Sequence, residues 1–64
     1  MKLNGKFIEL NYEVSLLDFL QQNKYDISKI AVELNGDIVS KAQYINVVLH
    51  EDDTLEVVSF VGGG

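Results

Sequence analysis

The sequence has no cysteine, no arginine and no long apolar run. Without cysteine there is no disulfide, no cysteine-ligated zinc and no thiolate or persulfide on the chain itself. Arginine is absent, and 10 acidic residues stand against five lysines for a formal charge of −5, so the basic footprint that nucleic-acid binding needs is missing. No stretch approaches the roughly 20 apolar residues of a membrane span. The opening Met1-Lys2-Leu3-Asn4-Gly5-Lys6 has no apolar signal region. These absences predict a cytoplasmic protein that meets neither nucleic acid nor membrane. So acidic a chain suits a protein partner with a basic surface, through contacts that weaken as salt is added.

Residues suited to catalysis are equally scarce. His50 is the only histidine, so any nucleophile–base arrangement has to be built on it, and its place at a strand-to-turn junction reads as solvated. Glu51-Asp52-Asp53 lacks the glycine-punctuated pattern of a calcium loop and reads as a polar turn. The two Asn-Gly pairs are too sparse for a phosphate-binding loop. Tyr12, Tyr25 and Tyr44 are not spaced as a base-stacking platform. The expectation is no internal active site, no bound cofactor and no metal.

What is present supports one small domain. The chain has 64 residues, 47% of them hydrophobic, and a chain of this size buries only about 60% of its unfolded surface. Asn4-Gly5 follows Leu3 and leads into Lys6-Phe7-Ile8-Glu9-Leu10. Asn-Gly between extended runs is a strong hairpin signal, because a type I′ turn needs positive φ at both positions. Asn11 to Val14 connects onward to Ser15, which can cap a helix, with Asp18 suited to the positive end of the dipole. Leu16, Leu17 and Leu20 share one helical face with Phe19 flanking it, and the helix is expected to end near Asn23 or Lys24.

Ile30, Val32 and Leu34 alternate with Ala31 and Glu33, the pattern of a half-buried strand. Asn35-Gly36 marks a second hairpin, returning through Asp37-Ile38-Val39. A helical turn over Lys41 to Tyr44, a brief apolar segment Val47-Val48-Leu49 and a polar turn His50 to Asp53 complete the approach to a final strand, Leu55 to Val61. The pattern is that of an α+β domain with one helix across a mixed sheet. β-grasp is one of several small α+β folds consistent with it.

The final strand has two distinct faces. Leu55, Val57, Ser59 and Val61 share one, Glu56, Val58 and Phe60 the other. The charge on the second face places the helix over the first. Val58 and Phe60 are therefore expected on an open face, an apolar patch rimmed by acids that suits partner docking. The competing reading is that neighbours half-cover these side chains, with Phe7 joining them, and that their work is structural.

The sequence stops at Gly62-Gly63-Gly64, directly after this strand. Residues 1-61 are expected as a single domain and 62-64 as a flexible tail. Glycine runs build packed structure poorly, so the tail is either a loose end or a part handled by another protein. Three extended residues reach roughly 10 Å beyond the fold, and a chain without side chains passes a narrow slot.

Leu3-Asn4-Gly5-Lys6, Ser15-Leu16-Leu17-Asp18-Phe19-Leu20, Val32-Glu33-Leu34-Asn35-Gly36-Asp37-Ile38-Val39 and the ending Leu55-Glu56-Val57-Val58-Ser59-Phe60-Val61-Gly62-Gly63-Gly64 together resemble the ThiS family of sulfur carriers. The resemblance covers essentially the whole chain. A diglycine ending alone is common to ubiquitin-like proteins, so the hairpin and the small size carry the rest. Asp52 stands where the family often has glycine, and Ser40-Lys41 where Pro-Arg is frequent.

The resemblance implies a β-grasp (ubiquitin-like) fold with the first and last strands parallel at its centre. It also implies a co-substrate, not an enzyme. Gly64 would carry sulfur as a C-terminal thiocarboxylate, Gly62 and Gly63 would allow passage of the tail, and Val58 and Phe60 would dock. The implied partners are a ThiF-type adenylating enzyme using MgATP, thiazole synthase (ThiG-type) of thiamine biosynthesis, and a cysteine desulfurase as ultimate sulfur source. The free carrier is expected as a monomer. Other readings are a molybdopterin-type sulfur carrier subunit, a ubiquitin-like protein modifier, and a non-covalent interaction module with an incidental tail.

Overall fold

Two Asn-Gly pairs set the strand plan. In the computed structural model, which describes residues 1–60, Asn4 and Gly5 have φ of 51° and 85°, and Asn35 and Gly36 have 51° and 90°. Positive φ at both central positions gives the type I′ turn, whose twist matches that of its flanking strands. The first turn joins β1 (Lys2–Leu3) to β2 (Lys6–Phe7). The expected strand through Leu10 stops at Phe7, because β1 is only two residues long and offers no further register partners. One last rung runs from the Ile8 N–H to the Met1 carbonyl at 2.9 Å. Ile8 and Leu10 then pack, half-buried, against the core.

Ser15 ends a short strand, β3 (Val14–Ser15), and caps helix α1 (Leu16–Gln22). Its hydroxyl accepts from the Asp18 N–H at 3.0 Å, which satisfies one of the free amides of the first turn. The helix stops at Asn23, whose side-chain amide donates to the Phe19 carbonyl at 2.8 Å, and Lys24 follows with φ of 63°. Leu16, Phe19 and Leu20 are buried while Leu17 is half-buried. This corrects the expected face. Phe19 and Leu17 flank the Leu16–Leu20 stripe at equal angles, and only tertiary packing decides which flank turns inward.

Short pieces connect the rest. Asp26 caps an unexpected 3-10 turn, Ile27–Lys29, by accepting from both the N–H and the hydroxyl of Ser28, at 3.0 and 2.7 Å. The Ser28 hydroxyl bond, followed by the Ser28 N–H, holds the Asp26 carboxyl below its ordinary value. β4 (Ile30–Leu34) and β5 (Asp37–Val39) form the second hairpin. The helical turn expected after Ser40 is a 3-10 turn, Lys41–Gln43, that delivers Tyr44 into the interior. β6 (Val48–Leu49) pairs antiparallel with β3, Val14 opposite Leu49, as a separate two-stranded sheet. Sequence reading took Asn11 to Val14 as a connection and Val47 to Leu49 as a brief apolar segment, since two-residue strands show no period.

β7 (Thr54–Ser59) occupies the middle of the main sheet, whose order is β2-β1-β7-β4-β5. It runs parallel to β1, Leu3 beside Leu55, and antiparallel to β4, Val32 beside Val57. The α+β, β-grasp arrangement expected from the sequence is the one observed. Regular pairing ends at Ser59, short of the expected Val61. The Phe60 N–H adds a bond to the Lys29 carbonyl at 2.8 Å, and Val61, Gly62, Gly63 and Gly64 lie outside the described residues. Ile30, Val32, Leu55 and Val57 of the sheet meet Leu16, Phe19 and Leu20 of the helix, with Tyr44 and Leu49 closing the core. Each such side chain contributes about 1.5–3 kcal/mol by burial.

Both turn asparagines also extend the ladder of β7. The Asn4 N–H donates to the Leu55 carbonyl at 2.9 Å, and the next parallel rung would run from the Val57 N–H to the Asn4 carbonyl. The Asn4 side-chain oxygen takes that rung instead, at 2.7 Å. On the other flank the Asn35 N–H donates to the Thr54 carbonyl, and the Thr54 N–H returns to the Asn35 side-chain oxygen, both at 2.8 Å. Glycine at either position keeps the positive φ but deletes the rung. Asn4→Gly and Asn35→Gly should each lower unfolding free energy by about 1 kcal/mol in urea titrations. For a chain of this size that corresponds to a Tm loss of roughly 4–8 °C.

Candidate docking face

Alternation along β7 turns Leu55 and Val57 into the core and Glu56 and Val58 outward. Val58 is 60% exposed and Phe60 49%, so neither is core. Register then assembles the face around them. Ala31 lies opposite Val58, Glu33 opposite Glu56, and Ile38 opposite Glu33 on the neighbouring edge strand. Phe7 lies on the same side at the far end, with the Lys2 ammonium 5.1 Å from its ring centroid. Ala31, Glu33, Ile38, Glu56 and Val58 line a shallow hollow of about 110 Å³. Sequence reading named Val58 and Phe60 for this face, gave Phe7 only a structural role although it is 82% exposed, and missed Ile38, whose side is set by hairpin register. Gly62, Gly63 and Gly64 lie outside the described residues.

Two larger hollows, about 280 and 350 Å³, border the segment from Ile8 to Glu13. The polar groups at the first of them serve the turn before β7. His50 Nε2 lies 3.0 Å from Glu13 and Nδ1 lies 3.6 Å from Asp53. The His50 backbone N–H donates to one Asp53 oxygen at 2.8 Å, and the Asn35 side-chain amide donates to the other at 2.9 Å. His50 is thus one clamp of a turn and is half-exposed. Among the described residues no group of His, Asp or Glu is placed to hold a metal ion, and no helix is long and apolar enough to cross a membrane.

A β-grasp domain whose central strand borders an exposed face of mixed apolar and acidic character falls in the ubiquitin-like class. The sequence model of the ThiS family matches residues 1–64, and the chain belongs to that family. It is 34% identical over 65 residues to the sulfur carrier protein ThiS of Bacillus subtilis, covering 100% of this chain and 98% of that one. It is also 42% identical over 62 residues to a thiazole synthase of Magnetococcus marinus, covering 97% of this chain. The chain spans only 19% of the length of the thiazole synthases it matches. In fold it is similar to the crystal structure of a thiamine biosynthesis protein (ThiS) from Geobacter metallireducens, with a TM-score of 0.82 at 23% identity, covering 98% of this chain and 96% of that one.

Asp53 gives the fold a defined acid limb. Burial alone would raise its carboxyl, but the Asn35 amide, the His50 N–H and the charge of His50 together hold it below the ordinary 3.8. A carboxyl lowered in the folded state adds stability that is full above the unfolded value and disappears as pH falls through the folded one. Stability should therefore hold from neutral pH down to about 5 and decline below 3.8. Asp53→Asn should flatten that decline in urea titrations taken at successive pH values.

Proposed function

We propose that the chain is a sulfur carrier of thiamine biosynthesis, with the Gly64 carboxylate as the group that carries sulfur. One observation does most to support this: a ThiS-family chain whose central strand borders an exposed face and whose sequence, two residues after that strand, runs into three glycines. Val58 and Phe60 are exposed at the end of the described strand, where docking residues would orient a tail. Gly62 and Gly63 offer no side chains to a narrow passage.

A free carboxylate, with an ordinary pKa of about 3.3–3.7, is ionised at neutral pH and must be activated before it accepts sulfur. In the proposed sequence a ThiF-type enzyme uses MgATP. The Gly64 carboxylate attacks the α-phosphorus, pyrophosphate leaves, and an acyl-adenylate forms. A persulfide sulfur, derived from cysteine through a desulfurase, then displaces AMP to give an acyl disulfide. A thiol cleaves its S–S bond, is itself oxidised to a disulfide, and leaves the thiocarboxylate. Thiazole synthase is the proposed acceptor. The carrier holds no cofactor in this scheme, and its place is the cytoplasm beside these enzymes.

Intact-mass spectrometry after incubation with the adenylating enzyme, MgATP, cysteine and a desulfurase should show exchange of one oxygen for sulfur in the C-terminal peptide. No adduct despite demonstrated binding to an active partner would refute the reading. Gly63→Ala and Gly64→Ala should fold normally yet slow adenylation, and full-rate adenylation of both would defeat the narrow-passage argument. Phe60→Asp should weaken partner binding by roughly tenfold or more while leaving Tm nearly unchanged. A large Tm loss would instead make Phe60 a structural residue.

A further inference from the structure

The outer sheet face carries two carboxylates in a position that the fold alone does not favour. Glu33 and Glu56 are direct register partners on adjacent antiparallel strands. Such partners hold their Cβ atoms about 4.5–5.5 Å apart, and like charges placed so destabilise a sheet. Among the described residues neither carboxylate has an ion-pair partner. Apolar groups border the pair on two sides. Ile38, 81% exposed, is the next residue across from Glu33, and Ala31 with Val58 forms the adjoining row. An apolar hollow that holds two adjacent unpaired acids has a definite chemical complement.

The geometry points to the Glu33–Glu56 pair, set among Ile38, Ala31 and Val58, as the element that selects the partner by receiving an arginine side chain. This inference rests on the docking function proposed above and specifies its chemistry. A planar guanidinium has five N–H donors and can bridge two carboxylates, whereas a lysine ammonium acts as a point charge. The methylene stem of the arginine covers apolar surface as its head engages the acids, which suits Val58 and Ile38. The chain itself contains no arginine and has a net charge of −5. A second copy of these 64 residues therefore cannot supply the group, and the complement comes from outside them.

The resemblance to thiazole synthases makes that enzyme, taken from the same organism, the probe of choice. Calorimetric titration would compare the wild-type chain with Glu33→Gln, Glu56→Gln and the double variant, alongside thermal melts of each. Glutamine keeps the size and removes the charge. Each single variant should raise Tm by about 1–5 °C, because the repulsion is gone, and should weaken binding by roughly tenfold. The wild-type affinity should fall with salt more steeply than that of the double variant. Variants that bind as tightly as wild type would overturn the inference and leave the carrier reading intact. So would variants that melt lower than wild type. Failure of the wild-type chain to bind the synthase would overturn it too, and the sulfur-exchange assay on the same sample would show whether the carrier reading falls with it.

Discussion

The fold depends on holding one strand from both sides. Among the described residues, β7 is the only strand of the main sheet whose two neighbours are both distant in sequence, β1 at the start and β4 from the middle. Neither neighbour is long enough to pair with its whole length by backbone alone. β1 provides two residues before its turn, and β4 meets its own turn at Asn35. The asparagine side chains supply the missing acceptors, one on each flank. A turn that reverses a strand normally removes a carbonyl from the ladder, and here the turn residue replaces what it removed. The helix, the core and the outer face all take their positions from this strand.

Much of this was legible in the sequence, for identifiable reasons. The two hairpins were readable because type I′ geometry admits few residue pairs and Asn-Gly is the foremost among them. The helix start was readable from Ser15 and Asp18. The inward and outward sides of β7 followed from strict alternation with a charge on one side. The pairing of β3 with β6 was not legible, because two residues carry no period and their partners lie 35 positions apart (Val14 and Leu49). The burial of Phe19 over Leu17 was hidden for a different reason: a seven-residue helix has two equivalent flanks, and the choice belongs to the sheet beneath it. Ile38 reads as an ordinary hairpin residue until register sets it beside Glu33.

The outer face shows how stability and recognition separate on one sheet. Its inner side is built from side chains that agree with one another, Val32 beside Val57 and Leu34 beside Leu55. Its outer side places acid against acid and leaves Ile38 and Val58 in water. A structure optimised only for its own stability would pair those positions differently. The arrangement makes sense when the second half of the interaction is provided by another chain. This also fits the composition: a protein with few cations of its own draws complementary charge from elsewhere.

The doubled use of Asn4 and Asn35 has a consequence for the chemical lifetime of the protein. Asparagine followed by glycine is the sequence in which the backbone nitrogen most readily attacks the side-chain amide, since glycine has no side chain to obstruct the ring closure. The succinimide that forms opens to aspartate or isoaspartate. In the folded chain each of these amides is held against β7 through its oxygen, at 2.7 and 2.8 Å, and the Asn35 nitrogen is further held by Asp53. Those bonds orient the amide for the ladder and restrain it from cyclising. Once unfolded, the chain loses that restraint at both turns together. An aspartate formed at position 35 would then face Asp53 as a second carboxylate where a donor had been. Refolding would become less favourable with each unfolding episode, so the two turns act as a clock that runs only while the sheet is open.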